Sequence, residues 1–274
     1  MSEMSPPTPP TPTDTLQQIR DALDELRLRD MKAQLDAELD NDAPDDWLGR
    51  LWRLVDAQLR ARRERAIERR IKAARFPSQK NLSTFDFDFQ TGVDRDQIMH
   101  LATLDWLKRR QSLLFGGMSG VGKSHIAIAL GHLACVYGYS VRYTTSANML
   151  TELHLALATH DLQQAIKPFT RCALLVVDEV GLDRPERQLA MADDAGLFYK
   201  VVAARYEAGL SSVITTNIEW DQWGAYLGDD IATAAILDRL VHHSRAIHID
   251  GPSWRSHQHQ LLNRSSDDNS KVGD

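Results

Sequence analysis

Gly117-Met118-Ser119-Gly120-Val121-Gly122-Lys123-Ser124 decides how this chain is read. The stretch fits G-x-x-x-x-G-K-[ST], and each fixed position has a chemical reason. Glycines let the backbone curl until successive N–H groups converge on phosphate oxygens. Lys123 brings a positive charge to the β and γ phosphates, and the Ser124 hydroxyl suits Mg2+. Apolar Ser112-Leu113-Leu114-Phe115 precedes the stretch as a strand, and an apolar helix follows from His125, its N-terminus facing the anion. A glycine-rich turn without a ligand is the alternative, and the strand and helix on either side count against it. The candidate nucleotide-binding residues are therefore Gly117, Met118, Ser119, Gly120, Val121, Gly122, Lys123, Ser124 and His125, with ATP and Mg2+ as the expected cofactors.

About 55 residues beyond Lys123 comes Leu174-Leu175-Val176-Val177-Asp178-Glu179. Four apolar residues in a row fit a buried strand. At its carboxyl end Asp178 is placed to hold Mg2+ together with Ser124, and Glu179 to polarise an attacking water as a general base. An Asp-Glu pair that merely caps a helix is the competing reading. Ser212-Val213-Ile214-Thr215-Thr216-Asn217 is a further apolar strand with a polar end. Asn217 either senses the γ-phosphate there or caps the next turn. Ligands of open α/β sheets gather at the carboxyl ends of strands, which favours the first.

Working outward, strands are expected at 112–116, 141–145, 173–177, 212–216 and 246–249. Helices are expected between them at 125–137, 149–157 and 194–207. Apolar strands alternating with helices predict an α/β fold, a parallel sheet covered by helices on both faces. Before it, Leu16, Ile19, Leu23, Leu26, Met31, Leu35 and Leu39 recur at helical spacing from a cap at Thr13 or Asp14, and Asn41-Asp42-Ala43-Pro44 interrupts them. A second helix is expected from Asp45 to about Ala74, burying Trp47, Leu48, Leu51, Trp52, Val55 and Leu59, and stopped by Pro77. Residues 77–90 form a connector whose Phe85, Phe87 and Phe89 either pack the core or flank an adenine. The expected organisation is a disordered Pro/Thr-rich tail at 1–13, a small all-helical domain at 14–76, an ATPase domain at 77–263 and a second loose tail at 264–274.

Across 274 residues the chain is 43% hydrophobic and 26% charged, with net charge −6, an ordinary globular mix. Its two cysteines, Cys135 and Cys172, sit in apolar surroundings and are expected to be buried thiols in a reducing compartment. No apolar run approaches the 18–20 or so residues that span a bilayer, and no leader pattern opens the chain. A cytoplasmic protein with no membrane contact is expected. Charge is unevenly spread: residues 60–75 hold eight bases against two acids. At 100° per residue Arg62, Arg65, Arg69 and Lys72 share an arc of roughly 80°, while Ile67, Ile71 and Ala74 lie opposite. Such a stripe suits sequence-independent phosphate contacts. A solvated helix with internal ion pairs is the other reading.

With these residues in place the chain resembles the IstB-like ATP-binding proteins, AAA+ helpers of insertion-sequence transposases related to the DnaC helicase loaders. The matching stretches run from about 26 to 255. They include 26–31, 73–77, Phe85-Asp86-Phe87, the phosphate loop, Asp178-Glu179-Val180-Gly181, Leu197-Phe198, 204–207, 237–243 and 249–255. The family usually has Ser-Asn where this chain has Thr216-Asn217, and Tyr in place of the bulkier Trp254. The resemblance implies a P-loop NTPase of the AAA+, ASCE type that hydrolyses ATP and forms a homo-oligomer on double-stranded DNA when ATP is bound. With DNA implied, the stripe of Arg62, Arg65, Arg69 and Lys72 is expected to supply largely non-specific contacts, and a cognate transposase is the implied partner. The resemblance further implies that Arg239 is an arginine finger reaching a neighbouring subunit, and it makes Arg255 a candidate second sensor. A replicative helicase loader is the alternative function. A small-molecule P-loop kinase is a third, without a substrate lid or an explanation for the basic helix.

Overall fold

The computed structural model describes residues 12–40, 47–182 and 193–258. The tails expected at 1–13 and 264–274 lie outside these, except that Pro12 and Thr13 open the first helix; the break at 41–44 is also outside. The chain divides into two compact units at Glu68/Arg69.

In the first unit the single helix expected from 14 to 39 is two, α1 (Pro12–Glu25) and α2 (Arg29–Leu39). Arg27 turns the chain with φ at +57°. The apolar spacing runs on across this turn, so periodicity alone does not reveal it. The turn folds α2 back on α1, pairing Arg20 with Asp36 and Lys32 with Asp24, and brings Leu23 and Leu35 together with Leu54. Leu54 belongs to α3 (Trp47–Ala74), which begins in this unit and ends in the second. The face α3 turns toward α1 and α2 is not the expected one. Leu54 is buried, Gln58 accepts from the Asp30 and Met31 amides, and Arg65 pairs with Asp30. On a helix these three align, and the apolar stripe of Leu48, Leu51, Trp52 and Leu59 is centred roughly 100° away. That stripe is exposed, with Leu48 at 54% and Trp52 at 62%, and Trp47 at the start of the helix is exposed as well. Arg53 grips the buried Glu38 with its Nε 2.9 and 2.8 Å from the two carboxylate oxygens. Polar fits, rather than the widest apolar stripe, set the orientation of α3.

The second unit is built on five parallel strands. They are β1 (Ser112–Gly116), β2 (Val141–Thr145), β3 (Leu174–Val180), β4 (Ser211–Thr216) and β5 (Ser244–His248), in the order β2-β3-β4-β1-β5. The strand residues alternate between two cores. Leu113, Phe115, Val176 and Val213 pack with Ile126 and Leu130 of α6 (Lys123–Val136) on one face. Leu114, Leu175, Val177 and Ile214 meet the other face. There they pack with Leu150 and Leu153 of α7 (Ser146–Ala158), Val201 of α10 (Asp194–Glu207) and Ile236 of α12 (Asp230–His242). Shorter helices complete the unit: α4 (Arg95–Leu101), α5 (Asp105–Lys108), α8 (Leu162–Ala165), α9 (Lys167–Thr170) and α11 (Trp223–Leu227). This is the expected parallel sheet with helices on both faces. Cys135 and Cys172 are both buried and free. No helix among the described residues is long and apolar enough to cross a membrane.

Candidate nucleotide site

β1 ends at Gly116 and α6 starts at Lys123, two residues earlier than the sequence suggests, so the phosphate loop occupies the turn between them. Gly117 has φ +134°, and a Cβ there would lie 2.2 Å from the Ile249 carbonyl oxygen. Gly122, the N-cap of α6, has φ +100°, and a Cβ there would lie 2.5 Å from the Phe85 ring. Both positions combine a left-handed backbone with a close neighbour, so only glycine fits. The α6 N-terminus opens into a cleft of about 1040 Å3 lined by Ser119 to His125, Asp178, Glu179 and Asn217. Gly117 and Met118, expected at the nucleotide, do not line the cleft; their carbonyls accept from Lys123 Nζ at 2.7 and 2.6 Å. Lys123 is nearly fully buried, and burial pushes its ammonium down to about 8 against the pull of Asp178. Arg255, also lining the cleft, lowers it further. A phosphate is the natural counter-charge for this side chain.

Ser124 Oγ donates to Asp178 Oδ1 at 2.9 Å. The loop hydroxyl and the strand carboxylate, read 54 residues apart in sequence, thus form one cluster of hard oxygen donors that fits Mg2+. Asp178 lies inside β3, which extends through Val180 rather than ending at 177. The β3–β4 register shifts between Val177 and Val180, and Glu179 takes φ +62° within the shift. This bulge turns the Glu179 side chain to the rim of the cleft. Asn217, just past β4, donates its N–H to the Val180 carbonyl at 3.2 Å and shares that rim. His125 Nε2 lies 2.9 Å from the Asn81 carbonyl oxygen, its ring is edge-on to Phe85, and burial lowers its pKa.

Arg239 stands apart. Its guanidinium lies 4.8 Å over the Tyr199 ring, Nη1 donates to the Ala235 carbonyl at 3.0 Å, and it does not line the cleft. Of the basic stripe, Arg62 and Arg65 fall in the first unit and Arg69 and Lys72 in the second. All four are exposed, but Arg65 is engaged by Asp30, which raises its pKa. The opposite face holds as expected, with Ala74 fully buried and Ile71 packed on the core.

Several cleft residues escape a motif-based reading. Tyr143 of β2 donates its OH to Asp178 Oδ2 at 2.7 Å, and Thr215 of β4 donates to Asp178 Oδ1. Each is one hydroxyl among several in its strand, a signal that gains meaning only once the register sets it beside Asp178. Phe85 and Phe89 line the cleft, whereas Phe87 packs on the core beneath. Trp254 donates its backbone N–H to the Gly120 carbonyl, and its larger ring packs edge-on against Phe89 at 4.9 Å. Gln90 Nε2 donates to the carbonyls of Val121 at 2.9 Å and Pro252 at 3.1 Å, joining connector, phosphate loop and C-terminal segment.

Comparison with known proteins agrees with this architecture. The family model described as IstB-like ATP binding protein matches residues 21–262. The chain belongs to this family. It is 32% identical over 218 residues to the ATP-binding protein of insertion sequence IS5376 from Geobacillus stearothermophilus, covering 80% of this chain and 84% of that one. It is 36% identical over 194 residues to its counterpart in IS21 from Pseudomonas aeruginosa, covering 71% of each. The IS232 relative from Bacillus thuringiensis subsp. berliner is 30% identical over 248 residues, 90% of this chain and 97% of that one. Among solved structures, DnaI superposes with a TM-score of 0.51 over 65% of this chain and 93% of its own, at 19% identity. That likeness concerns the P-loop AAA+ fold alone.

Proposed function

We propose that this IstB-family protein binds and hydrolyses ATP with Mg2+, assembles on double-stranded DNA in the ATP-bound state, and so assists a transposase in selecting or remodelling its target. The observation that carries the hydrolysis is the meeting of Lys123, Ser124, Asp178, Glu179 and Asn217 in one cleft. Lys123 and the α6 N-terminus bind the phosphates. Ser124 and Asp178 would hold Mg2+, which supplies charge neutralisation at the β and γ phosphates. Glu179 takes the proton of the attacking water, and Asn217 orients that water or the γ-phosphate. Phe85 and Phe89 offer apolar ring faces for the adenine. Arg239 lies outside its own cleft, which supports a role on a neighbouring subunit's nucleotide.

The insertion-sequence origin of the relatives favours transposition over helicase loading. The exposed bases of α3 supply a sequence-independent grip on DNA. The test is reconstitution with duplex DNA and either an insertion-sequence transposase or a replicative helicase. ATP-dependent capture of the transposase on DNA is the expected result. Capture of the helicase alone would move the function to loading.

A further inference from the structure

We infer that Thr215 and Tyr143 are positioning residues that clamp the Asp178–Glu179 pair in its working geometry. This rests on the hydrolytic reading of the cleft.

Asp178 is only 1% exposed and accepts three hydroxyl hydrogen bonds. Ser124 and Thr215 share Oδ1, and Tyr143 holds Oδ2. Ser124 would also be the loop's donor to a cation, and with its hydroxyl so engaged the carboxylate would be held by the other two alone. They come from the strands on either side of β3: Tyr143 from β2, Thr215 from β4. A carboxylate held at both oxygens cannot rotate, and its unoccupied lone pairs keep one direction.

Thr215 does a second job. Its Oγ1 accepts the Glu179 backbone N–H at 3.0 Å while its proton goes to Asp178. Glu179 sits at φ +62° in the register shift, a conformation costly for a residue with a Cβ and sustained only where surroundings fix it. The Thr215 hydroxyl therefore stands in for the strand partner that the bulge removes. One side chain fixes both the direction of the metal-side carboxylate and the backbone that aims Glu179 into the cleft. Thr215 is 1% exposed, so no water replaces its hydroxyl. Tyr143 is buried too, and both burial and the Asp178 charge raise its pKa.

The test uses the full chain and two readouts. Fluorescent ATP is titrated with and without Mg2+, and phosphate release gives kcat and KM. Thr215→Val is expected to leave Mg2+-free nucleotide affinity within about twofold. It should raise the Mg2+ needed for half-maximal tightening, and lower kcat, by roughly 10–100-fold each, with KM little changed. Thr215→Ser restores the hydroxyl and should recover most of both losses. Tyr143→Phe keeps the ring and removes one oxygen, so it should raise the Mg2+ requirement even if the valine variant folds poorly. Parental Mg2+ dependence in Tyr143→Phe, or a Thr215→Ser as impaired as Thr215→Val, would overturn the clamp. If the parent protein itself releases no phosphate, the hydrolytic reading fails, and the Mg2+ titration still decides the clamp.

Discussion

Lys123 buries its ammonium against two carbonyls, and this burial makes nucleotide affinity depend on pH. Its pKa falls from 10.5 to about 8, chiefly by desolvation. That drop corresponds to roughly 3 kcal/mol of disfavour for the charged form. Nucleotide phosphates remove the disfavour by pairing with the ammonium. Below pH 8 the charge is already present and affinity should be flat. Above it, binding must include uptake of a proton, so affinity should fall by up to about tenfold per pH unit. The stability sign follows from the same shift. Between about 8 and 10.5 the unfolded chain holds more protons at this residue, so its contribution to unliganded stability rises with pH. The assay is a fluorescent ATP titration from about pH 7.5 to 9.5, with Lys123→Arg as control. A guanidinium keeps its charge throughout, so the control should lose the pH dependence whatever its absolute affinity. Affinity of the parent that stays flat to about pH 9.5 would refute the reasoning and show that the Gly117 and Met118 carbonyls alone hold the charge.

Two further outcomes concern assembly and DNA. Arg239→Ala should bind ATP near parental affinity yet lose turnover by roughly a thousandfold or more. Mixing it with Glu179→Gln should restore part of the activity, because some interfaces pair a good finger with a good base; co-assembly by light scattering without any recovery would leave Arg239 a structural residue. Replacing Arg62, Arg69 and Lys72 by Gln should weaken binding to every duplex alike and flatten the log–log salt dependence by roughly three units. Arg65→Gln should flatten it less, since Asp30 already holds that side chain, and equal effects of all four would show that this ion pair opens on DNA.

The phosphate loop, the parallel sheet and the acidic strand end were legible because each is written in contiguous residues with a fixed spacing. Gly117 and Gly122 sit where only glycine fits, and the chain spells that out locally. Tyr143 and Thr215 were not legible, because their meaning comes from lateral register: β2, β3 and β4 are adjacent in space and far apart in sequence. The Glu179 bulge was hidden for the same reason, since an acidic pair inside a strand looks in sequence like one just beyond it. In the first unit, apolar periodicity gave helices but misjudged their facing. The Arg65–Asp30 and Arg53–Glu38 pairs and Gln58 orient α3, and pairing between distant polar residues leaves no periodic trace. The turn at Arg27 leaves no trace in the pattern, because the apolar spacing continues through it.

The central claim is that this cleft hydrolyses ATP with Glu179 as the base, and the most direct measurement compares phosphate release by the parent and by Glu179→Gln at matched ATP occupancy. Gln preserves size and leaves Asp178 and Ser124 in place, so ATP should bind as before. Turnover should fall by roughly a hundredfold or more. A Glu179→Gln protein that binds ATP and releases phosphate within about twofold of the parent rate would contradict the account and place the base elsewhere.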